Sequence, residues 1–147
     1  MKKLLPPILL IICIFVMSIV HIFYPLKQLV LYPYNLIGLV FLLSGIIMSM
    51  FGSNQFKKRG TTVMTFDEPI KLVQDGLYKY TRNPMYLGFV LFLFGFAVCL
   101  GSFTPYSVVV FFVLVTDRWY IKFEETKLKQ TFGNEFETYQ KNVRRWI

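Results

Sequence analysis

Acidic residues are scarce in this chain and histidine is scarcer: eight Asp and Glu, one His and two Cys among 147 residues. His21 stands apart from any cysteine, so there is no Cys/His cluster to hold a metal ion. Neither a Ser-His-Asp nor a Cys-His nucleophile system can be assembled from what remains. Cys13 and Cys99 both lie inside apolar runs and read as packed free thiols rather than reactive ones. Internal repeats and low-complexity tracts are absent. The formal charge of +8 comes without a stacking module or a basic recognition helix, which argues against nucleic acid as a partner.

Apolar residues are plentiful. They make up 55% of the chain, and charged residues 16%, where soluble domains carry about a quarter charged. The apolar residues fall into four blocks, residues 4–24, 31–51, 85–100 and 105–115. The first two are about 20 residues long, enough to cross a hydrocarbon core of ~30 Å. The last two are joined only by Gly101-Ser102-Phe103-Thr104 and read as a tight hairpin, its second helix running on past Asp117 and Arg118. The fold expected is all-α, a polytopic membrane protein with about four transmembrane helices followed by amphipathic C-terminal helices. A cleaved signal peptide competes for the N-terminus, since Met1-Lys2-Lys3 precedes an apolar run. No small-x-small site follows it, and an uncleaved first helix is the better reading.

Lys and Arg set the orientation. They precede the first helix (Lys2, Lys3), crowd the connection between helices two and three (Lys57, Lys58, Arg59, Lys71, Lys79, Arg82), and return after helix four. Only Lys27 lies in the first connection, and the third has none. Both termini and the long middle loop are therefore expected in the cytoplasm, with the basic face drawn to anionic lipid at ~1 kcal/mol per charge. The chain divides, within one domain spanning 1–147, into a helical hairpin (1–51), a cytoplasmic loop (52–84), and a second hairpin with C-terminal helices (85–147). Gly52-Ser53-Asn54 suggests the end of helix two. Residues 60–69 read as a turn-rich loop, residues 70–73 as a short apolar contact, and Asp75-Gly76 as a turn. Asn83 suits an N-cap and Pro84 the first helical position of helix three. Gly133 ends a helix begun at Lys122, and Asn134 to Glu137 resembles a capping box for a last helix reaching Arg145.

Residues 76–88, Gly-Leu-Tyr-Lys-Tyr-Thr-Arg-Asn-Pro-Met-Tyr-Leu-Gly, hold more binding-grade groups than a connector needs. A helix N-terminus favours an anion, Arg82 adds a bidentate donor, and Tyr78 and Tyr86 offer faces and hydroxyls. Equally, Arg82 is a positive-inside anchor and the tyrosines an interfacial belt. Glu124 and Glu125 point about 100° apart on a helix and so form no facing dyad. Glu125 pairs naturally with Lys129 at i, i+4, and Glu124 has no such neighbour. Arg118, Lys122 and Glu125 share a face by spacing, with snorkelling as the other explanation for Arg118. Arg144 and Arg145 suit either an anionic substrate or lipid headgroups.

Two ordered segments carry a resemblance. Leu72-Val73-Gln74-Asp75-Gly76-Leu77-Tyr78 with Arg82-Asn83-Pro84-Met85-Tyr86-Leu87-Gly88 is similar to the signature of the isoprenylcysteine carboxyl methyltransferase family, whose outline the membrane phospholipid methyltransferases share. Glu124-Glu125-Thr126-Lys127-Leu128, Phe132-Gly133-Asn134-Glu135-Phe136, Tyr139, Val143 and Arg144 resemble that family's C-terminal stretch. Together the match spans roughly residues 60–147. The resemblance implies S-adenosyl-L-methionine as cofactor, held by Leu72, Val73, Tyr78, Arg82, Asn83, Pro84, Met85 and Tyr86, with Glu124 and Glu125 closing the other side. It implies Arg118 and Arg144 as substrate-side residues, and Arg118 and Glu124 as catalytic candidates. The acceptor would be lipid-like and membrane-partitioned, a carboxylate or an amine, and the location a bacterial inner membrane. Asn83 and Ile70 stand where animal and fungal members carry histidine. Two other classes compete: a small four-helix transporter or channel subunit, disfavoured by the lack of mid-membrane charge and of inverted halves, and a lipid-binding assembly protein.

Overall fold

The computed structural model describes residues 4–60 and 70–147; the expected loop at 61–69 lies outside them. Among the described residues six α-helices are formed: α1 (Pro6–Phe23), α2 (Gly38–Arg59), α3 (Pro84–Leu100), α4 (Pro105–Val115), α5 (Lys122–Phe132) and α6 (Asn134–Asn142). A π-helical segment, Thr116–Ile121, joins α4 to α5, and short 3-10 turns occupy Tyr34–Ile37 and Gly76–Lys79. Among the described residues there is no strand, only isolated bridges between Gln28 and Ser102 and between Thr81 and Arg144. Prolines open α1, α3 and α4 at their first turns, where a missing N–H costs nothing.

Helix α3 is the centre of the bundle. It packs against α2 on one side and against α1 and α4 on the other. The α2–α3 contact is made by backbone. A Cβ added at Gly45 would lie 2.5 Å from the Gly88 carbonyl oxygen, and one at Gly88 would lie 2.7 Å from that of Gly45. Gly38 and Gly95 repeat the arrangement one heptad along, at 2.5 and 2.6 Å. Only glycine permits such an approach, which is how helices without a hydrophobic driving force between them associate in lipid. Gly52 belongs to the same seam, its virtual Cβ 2.8 Å from Met85 Cγ. It therefore does not end the helix as its sequence context suggests. Helix α2 runs seven residues further and stops at Gly60, whose φ of +64° marks the terminus.

On the other side of α3 the core is made of side chains, Leu9, Cys13 and Met17 from α1, Leu93 and Ala97 from α3, and Val108 and Phe112 from α4. Much of the rest of the apolar surface is exposed. Ile11, Phe15 and Ile19 on α1 and Val40, Leu43 and Ile47 on α2 face outward, an apolar girdle that needs lipid around it. Two helices, Pro6–Phe23 and Tyr34–Lys58, are long and apolar enough to cross a membrane, and Pro84–Leu100 is a shorter apolar helix. The described residues thus form an all-helical fold with two candidate membrane-spanning helices.

At one end of the bundle the two hairpin connections are tied together. The Gly101 carbonyl accepts from the N–H groups of Leu29 and Val30 at 2.8 and 3.0 Å, and Phe103 N–H donates to Lys27 at 2.9 Å. His21 Nδ1 meets Ser102 Oγ at 2.7 Å.

Towards the opposite end, α4, the π segment and α5 form one uninterrupted rod, with helical dihedrals at both junctions. A π turn holds one more residue than an α turn, so it offsets the faces of the two helices it joins. The face expected for Arg118, Lys122 and Glu125 is consequently not formed. Arg118 is 83% exposed, whereas the Glu125 side chain is 13% exposed. The last helix also differs from expectation: no side chain caps its start, because Gly133 rather than Asn134 occupies the N-cap position, and Glu137 is engaged by Lys129 at 2.8 Å. It ends at Asn142, and residues 143–147 leave it as a strap that begins in extended conformation.

Candidate functional site

Where the rod leaves the bundle, a cavity of about 430 Å³ opens, within the ordinary range for small-ligand sites. Four parts of the chain supply its walls: the first turn of α1 (Leu5, Pro6, Pro7), the last turns of α2 (Ser53, Phe56), the run from Lys71 to Phe89, and α5 with α6. Of the residues proposed from sequence, Leu72, Val73, Tyr78, Arg82, Asn83, Met85, Tyr86, Glu124 and Glu125 all line it. Pro84 is fully buried behind the lining. Arg118 and Arg144 are not brought to the cavity. Arg118 projects from the π segment, 3.8 Å from Asp117, and the Arg144 side chain is exposed while its backbone is used.

Aromatic groups shape the interior. Tyr86 stacks on Tyr120 with ring centres 6.4 Å apart, and Phe56 meets Tyr78 edge-on at 5.2 Å. Tyr120 donates to the Leu4 carbonyl at 2.8 Å, which fastens the start of α1 to the rod. Burial raises the Tyr78 phenol pKa, and the Glu124 charge and then Tyr139 add to it. Tyr78 is thus a neutral hydroxyl at any physiological pH. Tyr139, also raised by burial, donates to the Tyr78 carbonyl at 2.7 Å.

The two adjacent glutamates diverge as helical geometry demands. Glu124 accepts the Tyr86 hydroxyl at 2.7 Å. Glu125 takes two guanidiniums, Arg82 Nη2 at 2.8 Å and Arg145 through Nη2 at 2.5 Å and Nε at 3.2 Å. The Glu125–Lys129 pair expected from i, i+4 spacing is replaced by these bonds, since Lys129 has turned to Glu137. Arg145 also donates to Asp117 at 3.2 Å, and Trp146 Nε1 donates to the same oxygen at 2.9 Å. The hydrogen bond to Glu125 raises the Arg145 pKa above its ordinary value. Burial opposes ionisation of Asp117, but Trp146 and Arg145 together outweigh it and hold the carboxyl below its usual value.

Arg82 is likewise committed to protein. Its Nη1 donates to the carbonyls of Gln140, at 3.0 Å, and Val143, and its backbone N–H donates to Arg144 at 2.9 Å. The bidentate fork read as free for an anion is therefore occupied. What remains is Nε–H, buried and, among the described residues, without a hydrogen-bond partner. Asn83 sits at the N-cap position of α3, yet its side chain makes no cap bond. Its amide instead donates to the Arg145 carbonyl at 2.9 Å, which also accepts from Thr81 Oγ1 at 3.2 Å.

The lining suits a zwitterionic sulfonium such as S-adenosylmethionine. It offers a buried unpartnered N–H donor for a carboxylate, the Glu124 carboxylate for hydroxyl or amino groups, and tyrosine and apolar faces for a purine. Among the described residues no three His, Cys, Asp or Glu side chains gather to hold a metal ion. Sequence reading did not anticipate the first turn of α1, Ser53, Phe56 and Phe89 in the lining, nor Arg145 as a bolt behind it. The α1 and α2 contributions carry no local signal, because apolar helix ends look alike whatever they border.

A family model described as phospholipid methyltransferase matches residues 34–135. An uncharacterised protein of Haemophilus influenzae is 38% identical over 63 residues, 43% of this chain and 100% of that protein. The protein-S-isoprenylcysteine O-methyltransferase of Schizosaccharomyces pombe is 37% identical over 75 residues, 49% of this chain and 30% of that enzyme. Protein-S-isoprenylcysteine O-methyltransferase B of Arabidopsis thaliana is 38% identical over 80 residues, 52% of this chain and 39% of that enzyme. The match thus covers well under half the length of the fungal and plant relatives. No solved structure matches the chain.

Proposed function

Because the chain belongs to the phospholipid methyltransferase family, we propose that it is an integral membrane enzyme moving a methyl group from S-adenosylmethionine to a lipid-like acceptor. The observation that carries this reading is convergence. Nine residues assigned to a cofactor pocket from the family-like motifs, drawn from stretches some 40 residues apart, border a single cavity.

In this reading Glu124, oriented by Tyr86, accepts hydrogen bonds from the cofactor's amino or ribose groups. Tyr78 and Tyr86 flank its adenine with Leu72, Val73 and Met85, and Arg82 Nε–H meets its carboxylate. When bound, the cofactor supplies a methyl group already activated by the sulfonium. The protein's part is then to align donor and acceptor and to keep water out. The apolar first turn of α1 and Phe89 give the cavity a wall suited to an aliphatic acceptor. Arg118 and Arg144, outside the cavity, meet lipid headgroups rather than reacting atoms. Both termini and the cavity lie on the cytoplasmic side of a bacterial inner membrane, where Lys and Arg concentrate, and α3 and α4 complete four crossings.

Two measurements test this. Calorimetry on the detergent-solubilised protein is expected to show binding of S-adenosylmethionine or its demethylated product, weakened at least tenfold by Tyr86→Ala or Glu124→Ala. A folded sample that binds neither compound overturns the reading. Incubation with radiolabelled cofactor and total lipid extract then identifies the acceptor, labelled acids giving base-labile esters and labelled amines giving base-stable products.

A further inference from the structure

Behind the cavity lies a group of charged interactions that methyl transfer does not itself use. Arg82, Glu125, Arg145 and Asp117 alternate in charge and come from four places: the lead-in to α3, α5, the C-terminal strap and the π segment. Their side chains are largely withdrawn from water, at 9, 13, 34 and 23% exposure in that order. Charge-assisted bonds at such exposures are worth more than surface pairs. One of these bonds, Arg145 to Glu125, also closes a ring. From Glu124 the path runs to its neighbour Glu125, across to Arg145, through the Arg145 carbonyl to Asn83 and Thr81, and along the start of α3 to Tyr86. The Tyr86 hydroxyl then returns to Glu124.

Arg145 touches this ring at two points but does not line the cavity. Its guanidinium fixes the rotation of α5 through Glu125. Its carbonyl fixes the start of α3 through Asn83 and Thr81. Those are the two elements whose spacing decides whether Tyr86 reaches Glu124. Resting on the methyltransferase reading above, we propose that Arg145 is a positioning residue for the cofactor site, acting through Glu125 and the α3 lead-in on the Tyr86–Glu124 bond. Glu125, assigned from sequence to the cofactor itself, then serves the same purpose from inside the ring. Only arginine can do this. Lysine is a point charge and cannot bond Glu125 through two nitrogens while reaching Asp117 with a third.

The test is a double-mutant cycle read by calorimetry with S-adenosylhomocysteine, alongside thermal unfolding of each variant. Arg145→Met is expected to weaken binding about tenfold, and Arg145→Lys nearly as much. In a Tyr86→Phe background, which lacks the hydroxyl that Arg145 serves, the Arg145→Met effect should shrink to less than twofold. A general loosening of the fold would instead weaken binding equally in both backgrounds and overturn the proposal. So would an Arg145→Met protein that binds like the wild type. Absence of binding by the wild-type protein is a separate outcome and counts against the methyltransferase reading. If Arg145→Met does not fold, Arg145→Lys and Glu125→Gln carry the same cycle.

Discussion

The apolar pair α2–α3 and the cap formed by α5, α6 and the strap are held together by opposite means. In the bundle, glycines bring two backbones into contact, and polar bonds are few, such as Ser49 Oγ to the Met85 carbonyl at 3.1 Å. In the cap, long charged side chains reach between segments. The difference follows from the solvent. In lipid, burying an apolar side chain gains little, so fit and dispersion hold helices together. At the aqueous boundary an arginine can be brought partly out of water if carboxylates and carbonyls replace the water. The cavity lies at the border of these two regimes, one wall rigid by fit and the other held by charge.

A side chain in the seam should break the first regime outright. Gly45→Leu must place carbon where the Gly88 oxygen and Phe92 nitrogen already stand at 2.5 Å. Overpacking of this kind costs at least ~3 kcal/mol when backbone has to move. The expected result is loss of the monodisperse, thermally cooperative species in detergent, with cofactor binding lost with it. Arg82→Lys should damage only the second regime. It removes the fork that serves Glu125, Gln140 and Val143, an expected loss of ~3 kcal/mol for a disrupted buried pair. The cap should become protease-sensitive after residue 140 while the membrane helices keep their helical circular dichroism. Equal sensitivity of both regions would erase the distinction.

The smallest effect expected is set by pH. Asp117 has a folded pKa below its ordinary value of 3.8, so its contribution to strap docking is complete above that value. It is lost as pH falls through the lower, folded one. Trp146 fluorescence in a Trp119→Phe background should therefore change only in strong acid, and Asp117→Asn should flatten that change. The glycine seam meets no carboxylate and should not respond.

Much of the fold was legible because lipid imposes simple patterns. Apolar blocks, a helix start at Pro84 and a stop at Gly133 all follow from local rules. The seam was not: its glycines stand at 38, 45, 52, 88 and 95, but nothing local pairs them, and a lone Gly-Ser-Asn looks like a helix end unless its partner is known. The cavity-lining tyrosines and Glu124 were legible from motif order. The pairing of Glu125 was not: Lys129 lies one turn away on the same helix, and nothing local says that Arg82 and Arg145, 43 and 20 residues distant, displace it. Nor does any local signal announce the π turn that moved Arg118 off the site.

The unbroken rod of α4, the π segment and α5 has one more consequence. From Pro105 to Glu124 it rises nineteen residues, about 28 Å at helical pitch. One end is pinned by the knotted hairpin connections and the other carries the carboxylate of the cavity. The rod is thus a spacer. It sets the distance between those connections and the wall of the cavity that carries Glu124, and four residues added to α4 would lengthen it by about a full turn.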